Sequence, residues 1–205
     1  MFKRKRVGKA DVIVTVIILI ALYAIGIYNA VASNLTTDLA TMKPDEYQTG
    51  KYVEADVAVN LGSYCQEESY RFHFIKTGTA DYYVVSTKKD AKDCISLKTN
   101  KNTEEWEKMA QETETYMQNG GKEPAVRHIK GQLRKCDTDE AKYLREFMQG
   151  TEALGITYSE YYIQETDGID AYAILIAALG ITLVMGLRFF LLSRQNKDWK
   201  PEEEE

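Results

Sequence analysis

Histidine and cysteine, the residues that most often build metal centres and disulfide frameworks, are scarce in this chain. Its 205 residues include two histidines and three cysteines, and the cysteines are too widely spaced for a CxxC motif. We expect Cys65, Cys94 and Cys136 to be small buried residues, with a Cys65–Cys94 disulfide as the alternative. The sequence therefore predicts no metal site and no cofactor.

Recognisable catalytic motifs are missing as well. The chain contains no nucleophile elbow, no HExxH motif and no Walker loop. His73 and His128 each fall on the polar side of a predicted strand, which is typical of a solvated imidazole. No catalytic residue is therefore assigned, although a site that assembles in space stays open.

Two long runs lack charged residues and histidine altogether. They cover Val12–Ala32 and Ala171–Leu187. At ~1.5 Å per residue, helices of this length cross hydrocarbon ~30 Å thick. We predict transmembrane helices over residues 12–32 and 171–193. Ion and proton paths usually need ionisable groups inside the membrane, and neither run contains one before Arg188, so these spans do not resemble a transport path.

Small residues recur in both runs at the spacing used for helix packing. Gly26 precedes Ala30 by four positions, and Ala173 precedes Ala177 by the same interval. We expect these four residues to pack the two spans against each other, with oligomerisation as the alternative.

Basic residues flank the two spans on their outer sides. Lys3, Arg4, Lys5, Arg6 and Lys9 precede the first span, and further basic residues follow the second. Because such residues stay in the cytoplasm, we predict cytoplasmic tails at 1–11 and 194–205, the second of them ending in an acidic run. The multi-pass protein then lies in the plasma membrane, with the lipid bilayer as its first partner. A cleaved signal within residues 1–32 is the alternative.

The region between the spans, residues 33–170, is predicted to be a single extracytoplasmic domain. It carries 17 Lys+Arg and 25 Asp+Glu, a net charge of −8, which disfavours nucleic acid as a partner. Residues 33–49 are interpreted as a connector. Alternating apolar residues predict strands at 52–61, 70–75, 81–86, 94–97, 126–135 and 156–164, with a hairpin turn at 77–79.

Two helices are predicted within this domain from their capping signals. Asn102 with Glu105, and Asp137 with Glu140, have the spacing of a capping box. Gly120 and Gly150 are placed to end these helices. The resulting α+β order fits a small β-barrel-like domain, with an OB-type open barrel as one candidate. A sheet covered by two helices is the other candidate.

Tyrosine is the abundant residue, with 14 copies in the chain. Aromatic faces on predicted strands can stack on sugars or peptides, although tyrosine also packs half-buried surfaces. The candidates for a ligand platform are Tyr70, Tyr82, Tyr83, Tyr161 and Tyr162.

Three sequence segments resemble a group of uncharacterised two-span bacterial membrane proteins. They are Gly50–Val57, Asp81–Val85 and Ile129–Leu133, and the resemblance extends over the whole chain. It implies a bacterial plasma membrane and an external α+β domain, and it implies no activity for any residue.

These features predict an integral membrane protein that presents a non-catalytic module outside the cell. The module binds another envelope or membrane protein, or an extracellular ligand. The alternatives are a membrane-surface enzyme of unrecognised type and an accessory subunit of a channel or transporter.

Overall fold

The computed structural model of the protein describes residues 9–71, 75–166 and 168–197. The described residues divide into two compact units, a helix pair made by residues 9–34 with 168–197, and a sheet domain between them in sequence. Much of each predicted tail, residues 1–8 and 198–205, lies outside the described residues, and so does His73.

The helix pair consists of the two apolar runs, now seen as single helices. α1 spans Lys9–Asn34, and α4 spans Gly168–Lys197. Within them, Val12–Asn34 and Tyr172–Leu191 are long and apolar enough to cross a membrane, and only 6% of each window is buried. A helix that is apolar on every side and exposed on most sides is suited to lipid.

The sheet domain contains seven strands and two helices. The strands are β1 (Thr37–Asp38), β2 (Tyr52–Val57), β3 (Val59–Arg71), β4 (Ile75–Ser86), β5 (Asp93–Thr99), β6 (Arg127–Lys135) and β7 (Thr157–Glu165). The helices are α2 (Thr103–Asn119) and α3 (Thr138–Phe147), and 3-10 turns occupy Leu39–Thr41, Pro44–Glu46 and Thr151–Leu154.

All seven strands belong to one open sheet in the order β1-β2-β6-β7-β5-β4-β3. β1 pairs with β2 and β5 with β7 in parallel, and the other neighbours are antiparallel. The α+β class is confirmed, but the barrel-like closure is wrong because β1 and β3 are the two edges of the sheet. Alternating patterns in a sequence predict how many strands there are, whereas the order of the strands in the sheet depends on long-range pairing.

Successive residues of the central strands feed two cores on opposite faces of the sheet. Val85 packs with Trp106 and Met109 of α2. Val84 packs with Leu144 and Met148, in and just after α3. Each helix therefore covers one face, as in the second fold candidate.

The first long strand of the prediction is broken in the structure. β2 ends at Val57, and the Ala58 N–H donates to Ser86 O at 2.9 Å as the chain passes from β2 to β3. β3 then continues through Gly62, where a positive φ of 122° and a register shift mark a bulge instead of the predicted strand end. The predicted turn at 77–79 is wrong, since those residues lie inside β4.

The helix signals are confirmed in part. Asp137 caps α3 in a capping box with Glu140, and Gly120 ends α2 in the left-handed conformation at φ 62°. Asn102, by contrast, has φ 49° and makes no side-chain cap. Its backbone conformation differs from the extended one in which a side chain caps the first helical N–H groups, so this capping box is not formed.

Candidate functional site

The five tyrosines predicted as a ligand platform do not share one surface. Tyr82 and Tyr83 are adjacent on β4, so their side chains point to opposite faces, and both are essentially unexposed. Tyr162 lies beside Tyr82, whereas Tyr161 contacts Tyr47 on the other face. Tyr70 is 53% exposed on β3, where its hydroxyl donates to Glu68. The structure thus separates the five residues into three environments.

Tyr82 and Tyr162 belong to a packed group that we call the closed cluster, formed by Tyr64, Tyr82, Tyr162, Lys98, Glu67 and Glu140. The Tyr82 ring lies 5.8 Å from the Tyr64 ring and 5.6 Å from the Tyr162 ring, both edge-on. The Lys98 ammonium is 4.9 Å from the centre of the Tyr82 ring, a cation–π contact. The Tyr82 ring, at the centre of the cluster, is fully buried.

Hydrogen bonds join several members of the closed cluster. The Tyr64 hydroxyl donates to Ser96 Oγ at 3.0 Å. Tyr82 Oη is in hydrogen-bond contact with two carboxylates, Glu67 at 2.8 Å and Glu140. Glu140 also accepts from the Asp137 N–H at 2.8 Å, which ties the cluster to the start of α3. The cluster therefore has a structural role, because its hydrogen bonds attach α3 to the sheet.

Burial sets the electrostatics of this cluster. It raises the pKa of Tyr162 to about 12, and the pKa values of Tyr64 and Tyr82 also rise because burial disfavours a phenolate. The hydrogen bond with Lys98 lowers the pKa of Glu67. All three phenols therefore stay protonated at neutral pH.

The described histidine, His128, lies on an exposed part of the sheet. Its Nδ1 is 2.8 Å from Asp56 Oδ1 across the β2–β6 pair. The neighbouring cross-strand pair joins Lys130 to Glu54 at 3.2 Å. His128 thus belongs to a solvated row of paired charges.

The small residues predicted to pack the spans are used unequally. Gly26 and Ala30 are buried in the helix pair, and an added Cβ at Gly26 would lie 2.8 Å from Leu175. Ala173 and Ala177, however, are exposed, and the buried small residue of α4 is Ala178. A stripe shifted by one position rotates about 100° around a helix, so the predicted α4 pair is corrected to Ala178.

A cavity of about 340 Å³ lies at the end of the sheet where β5 and β7 begin. The segment Leu39–Tyr47, expected to be a plain connector, crosses this end and forms one wall. The cavity is lined by Leu39, Ala40, Met42, Lys43, Pro44, Tyr47, Thr87, Lys88, Asp93, Cys94, Ile95, Thr157, Tyr158 and Ser159. Cavities of this size and mixed lining are typical of small-ligand sites.

The charged groups of the cavity are organised around Asp93. Its carboxylate forms an ion pair with Lys88, and Thr157 Oγ1 lies 3.0 Å from Asp93 Oδ1. These hydrogen bonds, first that with Lys88, lower the pKa of Asp93. Asp93 is therefore a carboxylate at neutral pH with its charge balanced locally.

The floor and walls of the cavity are apolar and fixed by the core. Leu39, Met42 and Ile95 belong to the core under α2, which also packs against Tyr47. The Tyr47 ring is held edge-on by Tyr161 at 5.9 Å. Burial and, secondarily, the Asp93 charge raise the pKa of Tyr47, so its hydroxyl is neutral.

None of the residues that line this cavity was predicted as a binding-site residue. The sequence signal that could have indicated the cavity is the presence of Leu39, Met42 and Tyr47 in the supposed connector. Apolar residues in such a segment indicate that it packs against the domain core. All three cysteines are free thiols, which corrects the Cys65–Cys94 disulfide alternative. Burial raises the pKa of Cys94, at the cavity, to about 12.

These observations define a class, an α+β sheet domain placed in sequence between two helices that are able to span a membrane. The chain belongs to the family described as a domain of unknown function, DUF8577, which matches residues 1–193 and so includes both helices and the sheet domain. No curated protein and no solved structure matches the chain.

Proposed function

We propose that this protein is an integral membrane protein whose sheet domain is an extracytoplasmic, non-catalytic ligand-binding module. The observation that carries the proposal is the cavity of about 340 Å³ between the Leu39–Tyr47 segment and the starts of β5 and β7. It combines apolar walls with a few polar groups, the composition of sites that bind small molecules.

The chemistry of the lining favours binding over catalysis. The Asp93 carboxylate is already engaged by Lys88 and Thr157, which leaves a poor general base. The Cys94 thiol donates to Ala91 O at 3.2 Å, and its pKa of about 12 keeps it protonated. A protonated thiol is a weak nucleophile.

The membrane arrangement rests on the helix pair and on the charges beside it. α1 and α4 each contain an apolar stretch that can cross a bilayer. Basic residues outside both stretches favour cytoplasmic tails, which supports a sheet domain on the other side of the plasma membrane. We expect a reporter fused after Glu205 to be protected from protease in intact cells. Digestion of that reporter would contradict the arrangement.

Ligand binding is tested with the full chain in lipid nanodiscs and a neutral fluorinated probe, 4-fluorobenzyl alcohol. Ala40 is an exposed residue of the cavity wall, and Ala40→Trp fills the space. The matched control is Ala125→Trp, at an exposed site in a different surface concavity. We expect the ¹⁹F line of the probe to broaden with the wild type and the control, and much less with Ala40→Trp. Equal broadening in all three proteins would show that lipid alone takes up the probe, and would refute the site.

A further inference from the structure

Hydroxyl groups dominate the polar lining of the cavity. Five lining residues carry one, namely Tyr47, Thr87, Thr157, Tyr158 and Ser159. Three of these hydroxyls, on Tyr47, Thr87 and Tyr158, have no hydrogen-bond partner within residues 9–71, 75–166 and 168–197. A hydroxyl both donates and accepts, so its best complement is a ligand group that does the same.

The charges of the lining do not demand an ionic ligand. Lys88 and Asp93 neutralise each other as an ion pair, which leaves spare N–H donors on the ammonium and spare acceptor sites on the carboxylate. Lys43 is exposed, where water and salt screen its charge. A carboxylate, which only accepts, and an ammonium, which only donates, would each leave part of the lining unmatched.

The Tyr47 ring adds a preference for flat C–H surfaces. It lines the cavity and is held in place by Tyr161 at 5.9 Å. A ring fixed before binding costs little conformational entropy when a ligand stacks on it. Leu39, Met42 and Ile95 extend this apolar surface at the base.

From these features we infer that the cavity binds a neutral sugar ring, a hexose or a hexose unit of a glycan. A hexose presents several hydroxyls along its rim and C–H groups on its faces, which matches the lining hydroxyls, the ion pair and the Tyr47 ring. The cavity of about 340 Å³ has room for such a ring with a substituent. This inference rests on the proposed function because it names the ligand of the same site.

The test uses the full chain in nanodiscs with the 2-deoxy-2-fluoro derivatives of glucose, mannose and galactose as ¹⁹F probes. The variant Tyr47→Phe/Tyr158→Phe removes two cavity hydroxyls and keeps both rings. Tyr143→Phe, at an exposed site on α3, is the matched control. We expect at least one sugar to bind the wild type and the control. The double variant should weaken that binding about tenfold, the effect of two lost hydrogen bonds, and leave 4-fluorobenzyl alcohol binding unchanged.

The outcomes separate this inference from the proposed function. Binding of the alcohol without binding of any sugar would overturn the sugar inference and leave the ligand-binding module standing. Sugar binding that is equal in the double variant and the control would also overturn it. Absence of both kinds of binding would refute the module itself. The methyl glycosides of the same sugars then identify the source, since a site for glycan ends accepts them and a site for the free sugar rejects them.

Discussion

Tyrosines pack tightly in the closed cluster but line open space in the cavity, and β7 contributes a tyrosine to each region. Tyr162 and Tyr158 lie on this strand four positions apart and therefore face the same side of the sheet. Tyr162 packs edge-on against Tyr82 inside the closed cluster, whereas Tyr158, which packs partly on the same core, also lines the cavity. A tyrosine in a predicted strand therefore does not by itself indicate whether its ring packs in the core or lines a binding site. The residues that surround the ring in the folded structure determine which role it has.

The largest expected difference between the two regions is in stability. Tyr82→Ala removes a fully buried ring and should lower the free energy of unfolding by about 3–5 kcal/mol. Tyr158→Ala, at the cavity, should lower it by about 1 kcal/mol because its ring is only partly packed. Urea unfolding followed by Trp106 fluorescence in a Trp199→Phe background measures both. Equal losses would mean that the cavity wall is as tightly packed as the closed cluster.

The second prediction concerns alkaline pH and the thiols buried in the core under α3. The ordinary pKa of a cysteine thiol is 9.0, while burial raises the pKa of Cys136 to about 12. Below pH 9 both the folded and the unfolded state hold the proton. Between pH 9 and 12 only the unfolded state loses it, so stability should fall as the pH rises through this window. The loss is on the order of 2 kcal/mol once partial solvent screening is allowed for.

The matching variant for this pH effect is Cys136→Ala, which should remove the Cys136 share of the decline between pH 9 and 12 and leave the share of Cys94, whose pKa burial also raises to about 12. Cys65→Ala is the control, because Cys65 is only partly buried. A decline that is unchanged in Cys136→Ala would mean that water reaches the thiol and that this core is less closed than its packing indicates.

The third and smallest prediction concerns the attachment of α3 to the closed cluster. Glu140→Ala removes an acceptor for both the Tyr82 hydroxyl and the Asp137 N–H, which should cost about 1 kcal/mol. Glu146→Ala on the same helix loses only an exposed pair with Lys142 at 3.9 Å and should change stability by less than about 0.5 kcal/mol. A similar cost for the two variants would indicate that the cluster does not fasten the helix.

Several local signals predicted the structure correctly, because at those positions neighbours in sequence decide the conformation. Apolar alternation at Val53, Ala55 and Val57 predicted β2, and all three side chains are buried. The capping box at Asp137 and the stop at Gly120 depend on residues within one helical turn, and both are present. The strand end predicted at Gly62 was wrong because a distant partner overrides the local pattern. β3 continues past Gly62 by pairing with β4, and Gly62 forms a bulge in that pairing.

The candidate site could not be predicted from the sequence, because it too depends on contacts between residues that are far apart in the chain. Its lining comes from the segment before β2, the turn after β4 and the starts of β5 and β7, which no periodicity brings together. The five tyrosines singled out from strand patterns were instead divided between two faces and an exposed stretch of β3.

The amino-acid order alone determined the two apolar helices and the α+β content, because length, hydrophobicity and periodicity are properties of contiguous residues. The tertiary structure alone decided that the sheet stays open, that Ala178 and not the Ala173–Ala177 pair packs against α1, and that a cavity forms at Asp93. Those outcomes depend on which surfaces meet after folding, and that choice is made by packing between residues far apart in the chain.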